Sequence, residues 1–123
     1  MSETILIADD EKNILISLEF LMKREGYVVV VAHDGQEAID AISKEHPDLV
    51  LLDVMMPKKT GFDVCQEVRA NPDLKDTLIL MLTAKGRDTD IAKGLAMGAN
   101  GYVIKPFSTR ELAQKVRDML DQA

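Results

Sequence analysis

Five side chains in this sequence have the types that phosphoryl chemistry needs, and each stands at the end of an apolar run. Asp9 and Asp10 follow Ile5-Leu6-Ile7-Ala8. Asp53 follows Leu49-Val50-Leu51-Leu52, Thr83 follows Leu78–Leu82, and Lys105 follows Tyr102-Val103-Ile104. Three carboxylates brought together repel one another and raise at least one pKa. A shared hard cation removes that conflict. Mg²⁺ takes oxygen ligands, keeps several waters, and commonly bridges carboxylates to a phosphate. Lys105 supplies a point charge for a phosphoryl oxygen or for Asp53 itself, and Thr83 supplies a hydroxyl donor. Nucleophile, metal, cation and hydroxyl are together the parts for phosphoryl transfer onto a carboxylate.

Each residue alone has a plainer role. Asp is a favoured helix cap, so Asp10 by itself reads as one. Thr83 reads as a turn or cap residue, and Lys105 as a solvated lysine whose charge snorkels past a sheet. Cys65 and the Met55-Met56 pair read as core and loop packing, and His33 and His46 as surface residues. The set is informative because its members occur in order, each at the end of a run.

The runs themselves are elements of structure. Leu49–Leu52 is wholly apolar, as suits a strand buried on both faces of a parallel sheet. Open parallel sheets carry their ligand sites at the carboxyl ends of the strands. After Asp9-Asp10-Glu11, a helix with Ile14, Leu18, Leu21 and Met22 on one face is expected, stopped by Gly26 in a left-handed conformation. Tyr27–Val31 is β-branched and reads as a strand. Asp34-Gly35-Gln36-Glu37 has the spacing of a capping box, with Ala38, Ala41 and Ile42 lining a helix that Pro47 ends.

Pro57–Gly61 reads as a loop, and the helix after it buries Val64, Cys65 and Val68 before Asn71-Pro72 closes it. Leu78–Leu82 is a strand. A helix from about Asp88 to Met97 carries Ile91 and Leu95 on one face and Gly94 inside, at a cost of about 1 kcal/mol relative to Ala; it is expected to be the least stable helix. Tyr102–Ile104 is the last strand. Ser108–Glu111 has capping-box spacing, and Leu112, Val116, Met119 and Leu120 form the final apolar face. Five strands alternating with five helices imply an α/β, doubly wound parallel sheet with helices on both faces.

A chain of 123 residues fits a single domain spanning 1–123. Its 46% apolar content is that of a globular protein, and its net charge of −6 argues against direct nucleic-acid binding. No apolar run approaches the ~20 residues of a membrane span. Met1-Ser2-Glu3-Thr4 lacks the basic and apolar regions of a signal peptide. A single cysteine excludes an intrachain disulfide or a cysteine metal cluster. These features point to the cytoplasm.

With these residues in this order, the chain resembles the receiver domain of two-component response regulators. The resemblance rests on Asp9-Asp10, on Asp53 with Met56-Pro57 and Gly61, on Thr83-Ala84, and on Lys105-Pro106-Phe107. It implies a flavodoxin-like (βα)5 fold with strand order 2-1-3-4-5. It further implies that Asp53 accepts a phosphoryl group from a sensor histidine kinase or a histidine phosphotransfer protein. Asp10, Asp53 and the Met55 carbonyl would bind Mg²⁺, with Asp9 acting mainly through a water. Thr83 and Lys105 would contact the phosphoryl oxygens, Tyr102 would be the aromatic switch, and the Lys105-Pro106 bond would be cis. Output would pass to a downstream effector through the fourth helix, fifth strand and fifth helix.

Such a protein would be a switch rather than an enzyme, with self-catalysed phosphorylation and slow autodephosphorylation. Met55 and Lys85 occupy positions that vary in the family and tune hydrolysis. Met55 has no group to position an attacking water, and Lys85 is expected to shield the phosphoryl group. The chain departs from the family pattern at Asn100-Gly101, where dimerising members often carry two acids. A monomer, or a weak phosphorylation-dependent dimer, is therefore expected. The chain stops just after the fifth helix, which suits either a stand-alone receiver or a piece of a larger regulator.

Other functions fit less well. No GxxxxGK[ST] follows a strand, which argues against a P-loop nucleotidase. Asp9-Asp10-Glu11 would repel a flavin phosphate. A haloacid-dehalogenase-like phosphatase needs a second acid where Met55 stands. An interaction module independent of phosphorylation would lack the acceptor residues that are present here.

Overall fold

The computed structural model describes residues 2–122, so the two ends of the expected 1–123 domain lie outside the described residues. The elements alternate: β1 (Thr4–Ala8), α1 (Lys12–Arg24), β2 (Val28–Ala32), α2 (Gly35–Glu45), β3 (Leu49–Asp53), α3 (Gly61–Ala70), β4 (Leu78–Ala84), α4 (Asp88–Ala96), β5 (Gly101–Lys105) and α5 (Thr109–Gln122). All neighbouring strands pair in parallel, in the order β2-β1-β3-β4-β5. This is the flavodoxin-like order implied above.

Strand side chains alternate between faces, and the alternation divides the core in two. Leu6, Val50, Leu52, Ile79 and Met81 pack with Ile42, Val64 and Val68 from α2 and α3. Ile5, Ile7, Leu49, Leu51, Leu80 and Leu82 pack with Leu15, Leu18, Met22, Leu112 and Val116 from α1 and α5. Every residue of β3 is buried. Its run of apolar residues is needed because both of its faces are covered.

Several local expectations shift. Gly26 takes φ +94°, as a left-handed helix stop requires. The Tyr27 N–H then donates to the Met22 carbonyl, so β2 begins one residue later than expected, at Val28. Asp34 caps α2 by accepting from the Glu37 N–H at 2.8 Å. The Glu37 carboxylate turns instead to the His33 N–H and ring, at 3.3 and 3.1 Å. Thr60 and Asp63 form a complete capping box at α3, where the sequence reads only as loop.

The largest difference is in α4. Leu95 is 44% exposed and Ile91 half-buried, whereas Gly94 is the buried residue. A Cβ at Gly94 would sit 3.2 Å from Met81 Cε. The helix backbone itself lies close to the sheet there, so the face turned inward holds the glycine and not the leucine. Asn100 ties the start of β4 to α3. Its Oδ1 accepts from the Ile79 N–H at 2.8 Å and from the Arg69 guanidinium at 2.7 Å.

Two glycine substitutions should separate a rigid contact from a yielding one. A Cβ at Gly61 would lie 2.5 Å from the backbone oxygen of Asp53. Gly61→Ala should therefore destabilise by about 2–3 kcal/mol, because backbone cannot rotate away. At Gly94 the obstacle is a flexible methionine tip, and the gain in helix propensity is about 1 kcal/mol. Gly94→Ala should stay within about 1 kcal/mol of the wild type in urea unfolding. Equal losses for both would contradict this account.

Candidate functional site

The carboxyl ends of four strands converge on one edge of the sheet. β1 delivers Asp9 and Asp10 just past Ala8, and β3 ends on Asp53. Asp53 pairs with Leu82, so β4 runs beyond β3 and places Thr83 opposite Ile104 and Ala84 opposite Lys105. Parallel register thus brings groups from distant parts of the chain to one place. Pro106 follows Lys105 through a cis peptide bond.

Asp9 and Asp53 are buried, and Asp10 is exposed. Lys105 Nζ donates to Asp9 Oδ2 at 3.1 Å and to Asp53 Oδ1 at 3.4 Å, and lies 3.9 Å from Glu11 Oε1. Asp9 Oδ1 accepts from the Glu11 N–H at 2.9 Å, which fixes its carboxylate. Burial, and then the nearby Asp9 charge, push the Asp53 pKa up to about 6, against the pull of Lys105 and the Met55 N–H. Burial works against the charge on Lys105, but Asp53 and Asp9 outweigh it and its pKa is raised.

Asp53 opens into a cavity of about 350 Å³, lined also by Asp10, Met55, Thr83, Arg87 and Lys105. The Thr83 hydroxyl is buried there without a hydrogen-bond partner among the described residues. An unpaired buried hydroxyl is costly, so it marks a place prepared for a ligand acceptor. One oxygen from each of Asp9, Asp10 and Asp53 falls within a 4.8 Å cluster. One ammonium cannot balance three carboxylates, and an all-oxygen donor set suits a hard cation. The residues present therefore fit Mg²⁺.

Not every singled-out residue meets the cavity. Tyr102 is 41% exposed on β5 and borders a narrow space under α4 that Thr83 and Asp90 also line. Lys85, expected to shield the site, instead lines a groove with Tyr102, Ile104 and Lys115. Arg87 and Asp90 take the place at the cavity wall, and neither stands out in the sequence. Their only sequence signal is the helix start just beyond Thr83.

A family model described as the response regulator receiver domain matches residues 5–117. The chain belongs to this family. The receiver is similar to a protein assigned as a response regulator in Chloroflexus aurantiacus J-10-fl, with 38% identity and a TM-score of 0.94 over 98% of this chain and 99% of that one. It is also similar to the chemotaxis protein CheY4 of Vibrio cholerae, at 33% identity and a TM-score of 0.90, over 96% of this chain and 98% of that one. A Francisella response regulator 1452 receiver domain matches at 29% identity, TM-score 0.90, over 98% of each chain. Receivers accept phosphoryl groups in two-component signalling and are switches, not generally classed as enzymes. They generally bind Mg²⁺ at an acidic pocket, and this receiver has an acidic cluster in Asp9, Asp10 and Asp53. No helix among the described residues is long and apolar enough to cross a membrane.

The raised Asp53 pKa has a consequence for stability. The pKa rises from 3.8 to about 6 on folding. Below about pH 4 the group is protonated in both states and costs nothing. Between those values the folded state keeps a proton that the unfolded state has lost, so stability falls as pH rises. Above about pH 6 the cost is complete, at most about 3 kcal/mol for about two units. Asp53→Asn should therefore stabilise the metal-free protein by about 1–3 kcal/mol at about pH 7.5, with much of the gain gone by about pH 4. Urea unfolding at both pH values checks this; an equal effect at both would refute the electrostatic origin.

Proposed function

We propose that this single receiver domain takes a phosphoryl group from the phosphohistidine of a sensor kinase or a histidine phosphotransfer protein onto Asp53. The observation that carries the reading is the unpaired Thr83 hydroxyl, buried beside a raised-pKa carboxylate that Lys105 grips. In the transfer, an Asp53 oxygen bonds to phosphorus while the N–P bond breaks. Its electron pair returns to the imidazole of the donor. Lys105 and Thr83 take up the charge and lone pairs of the transferred oxygens. Asp10, Asp53 and the Met55 carbonyl would hold Mg²⁺, with Asp9 reaching it through a water. When bound, Mg²⁺ would neutralise charge between the carboxylates and the phosphoryl oxygens.

Hydrolysis reverses the mark: water bonds to phosphorus, the acyl phosphate bond breaks, and Asp53 regains its carboxylate. Met55 offers no group to orient that water, so autodephosphorylation is slow. The phosphorylated domain signals to an effector through α4, β5 and α5. A phosphoryl oxygen engages the Thr83 hydroxyl, the loop toward α4 moves inward, and Tyr102 turns into the space it borders. Moving a 1:99 population to 99:1 takes about 5.5 kcal/mol, within reach of a few charge-assisted hydrogen bonds. The domain works in the cytoplasm as a monomer or a weak phosphorylation-dependent dimer, without binding nucleic acid or membrane.

Incubation with acetyl phosphate and Mg²⁺ should add one phosphoryl group by intact mass. The adduct should be absent from Asp53→Asn and from reactions in chelator. The same adduct on Asp53→Asn would remove Asp53 as the acceptor.

The route of the signal has its own test. Beryllofluoride, which mimics the phosphoryl group, should change amide exchange in α4 and β5 of the wild type and much less in Thr83→Ala. A full response in that variant would rule out the Thr83 route.

A further inference from the structure

Arg87 stands at the start of α4, where its one side-chain partner among the described residues is Asp90. Like Glu11 at α1, it occupies the helix N-cap without bonding any N–H of the first turn through its side chain. Asp34, Thr60 and Ser108 do make that bond in α2, α3 and α5, as capping preferences predict. Arg87 is among the residues that line the same cavity as Asp53, Thr83 and Lys105. Its Nε donates to Asp90 Oδ2 at 2.6 Å. Among the described residues the other guanidinium donors have no partner, and the side chain is 51% exposed, so it is free to re-aim.

Besides the charge that Mg²⁺ would neutralise, the side-chain donors already assigned leave phosphoryl acceptor capacity open. Such a group brings three acceptor oxygens and about −1.5 to −2 of charge. Thr83 has one donor. Lys105 has three, and two are already directed at Asp9 and Asp53. A guanidinium presents a planar fork matched to phosphate oxygens, and is the better partner for such a group than for a single carboxylate. We propose that Arg87 is a second cationic ligand of the phosphoryl group on Asp53, held in reserve by Asp90 in the unphosphorylated protein. This deepens the acceptor reading of Asp53 and rests on it.

The two partners then act in opposite directions. Asp90 competes with the phosphoryl group for Arg87. Its side chain is 13% exposed and borders both the Asp53 cavity and the narrow space beside Tyr102. Releasing Arg87 to the phosphoryl group leaves a largely buried carboxylate without its cation, which favours movement of the first turn of α4. Ligand contact and helix displacement would thus be linked through one exchanged ion pair.

Beryllofluoride affinity, measured by calorimetry at fixed Mg²⁺, gives a test by sign. Arg87→Gln should weaken binding about threefold to tenfold, the range of one lost hydrogen bond of ordinary net strength, since the site is partly exposed. Asp90→Asn should tighten it, because Arg87 is no longer held back. In the double variant the Asp90 change should have no further effect. If the pair only braces α4, both single variants break the same contact and shift affinity the same way, which would overturn the proposal, as would no change in either. Wild type that does not bind beryllofluoride would instead overturn the acceptor reading itself.

Discussion

Lys105 carries a single positive charge to an edge of the sheet where three carboxylates gather. Its ammonium reaches Asp9 and Asp53, both buried, and lies near Glu11. Without it, two buried carboxylates would face each other in surroundings that penalise charge. With it, burial first and the Asp9 charge second still hold the pKa of Asp53 above its ordinary value. A deficit of positive charge among oxygen donors is the condition under which a hard cation is favoured. A buried pair of this kind is poor evidence for stability. It is better understood as a group of charges kept short of balance until a ligand arrives.

Holding those charges at fixed separation falls to the sheet. β3 is buried along its whole length, and its neighbours pair with it in strict parallel register. Behind Asp53 the backbone of Gly61 comes so close that a methyl group would collide with it. There the end of β3 is backed by main chain. Lys105, and Arg87 with Asp90 at the start of α4, line the cavity into which Asp53 opens.

α4 starts at that cavity. It meets the sheet through a glycine and leaves Leu95 in solvent, so it buries little apolar surface of its own. Its carboxyl end is tied differently. Arg69 bonds the Gly98 carbonyl and Asn100, and Asn100 bonds the start of β4. The far end of the helix is thus tied to α3 and β4, whereas its first turn is held within itself by the Arg87–Asp90 pair. Beyond it, on β5, Tyr102 and Ile104 stand exposed.

Much of this is legible in the residues alone. Apolar runs ending in Asp9-Asp10, Asp53, Thr83 and Lys105 determine the alternating fold and the edge on which those groups meet. The reason is that a strand's period and a sheet's parallel register are local rules with little freedom. The positions of Arg87, Asp90 and Leu95 are not legible. Periodicity assigns Leu95 to the core because it counts apolar side chains. It cannot register that a helix approaches closest where it has no side chain, at Gly94. Lys85 and Arg87 are both cations on the loop after β4, and nothing in the sequence separates them. Only the path of that loop, set by packing of α4 against β4, turns one into a neighbouring groove and the other into the Asp53 cavity. The sequence decided which chemistry meets at the edge; tertiary packing decided which charge stands at its wall.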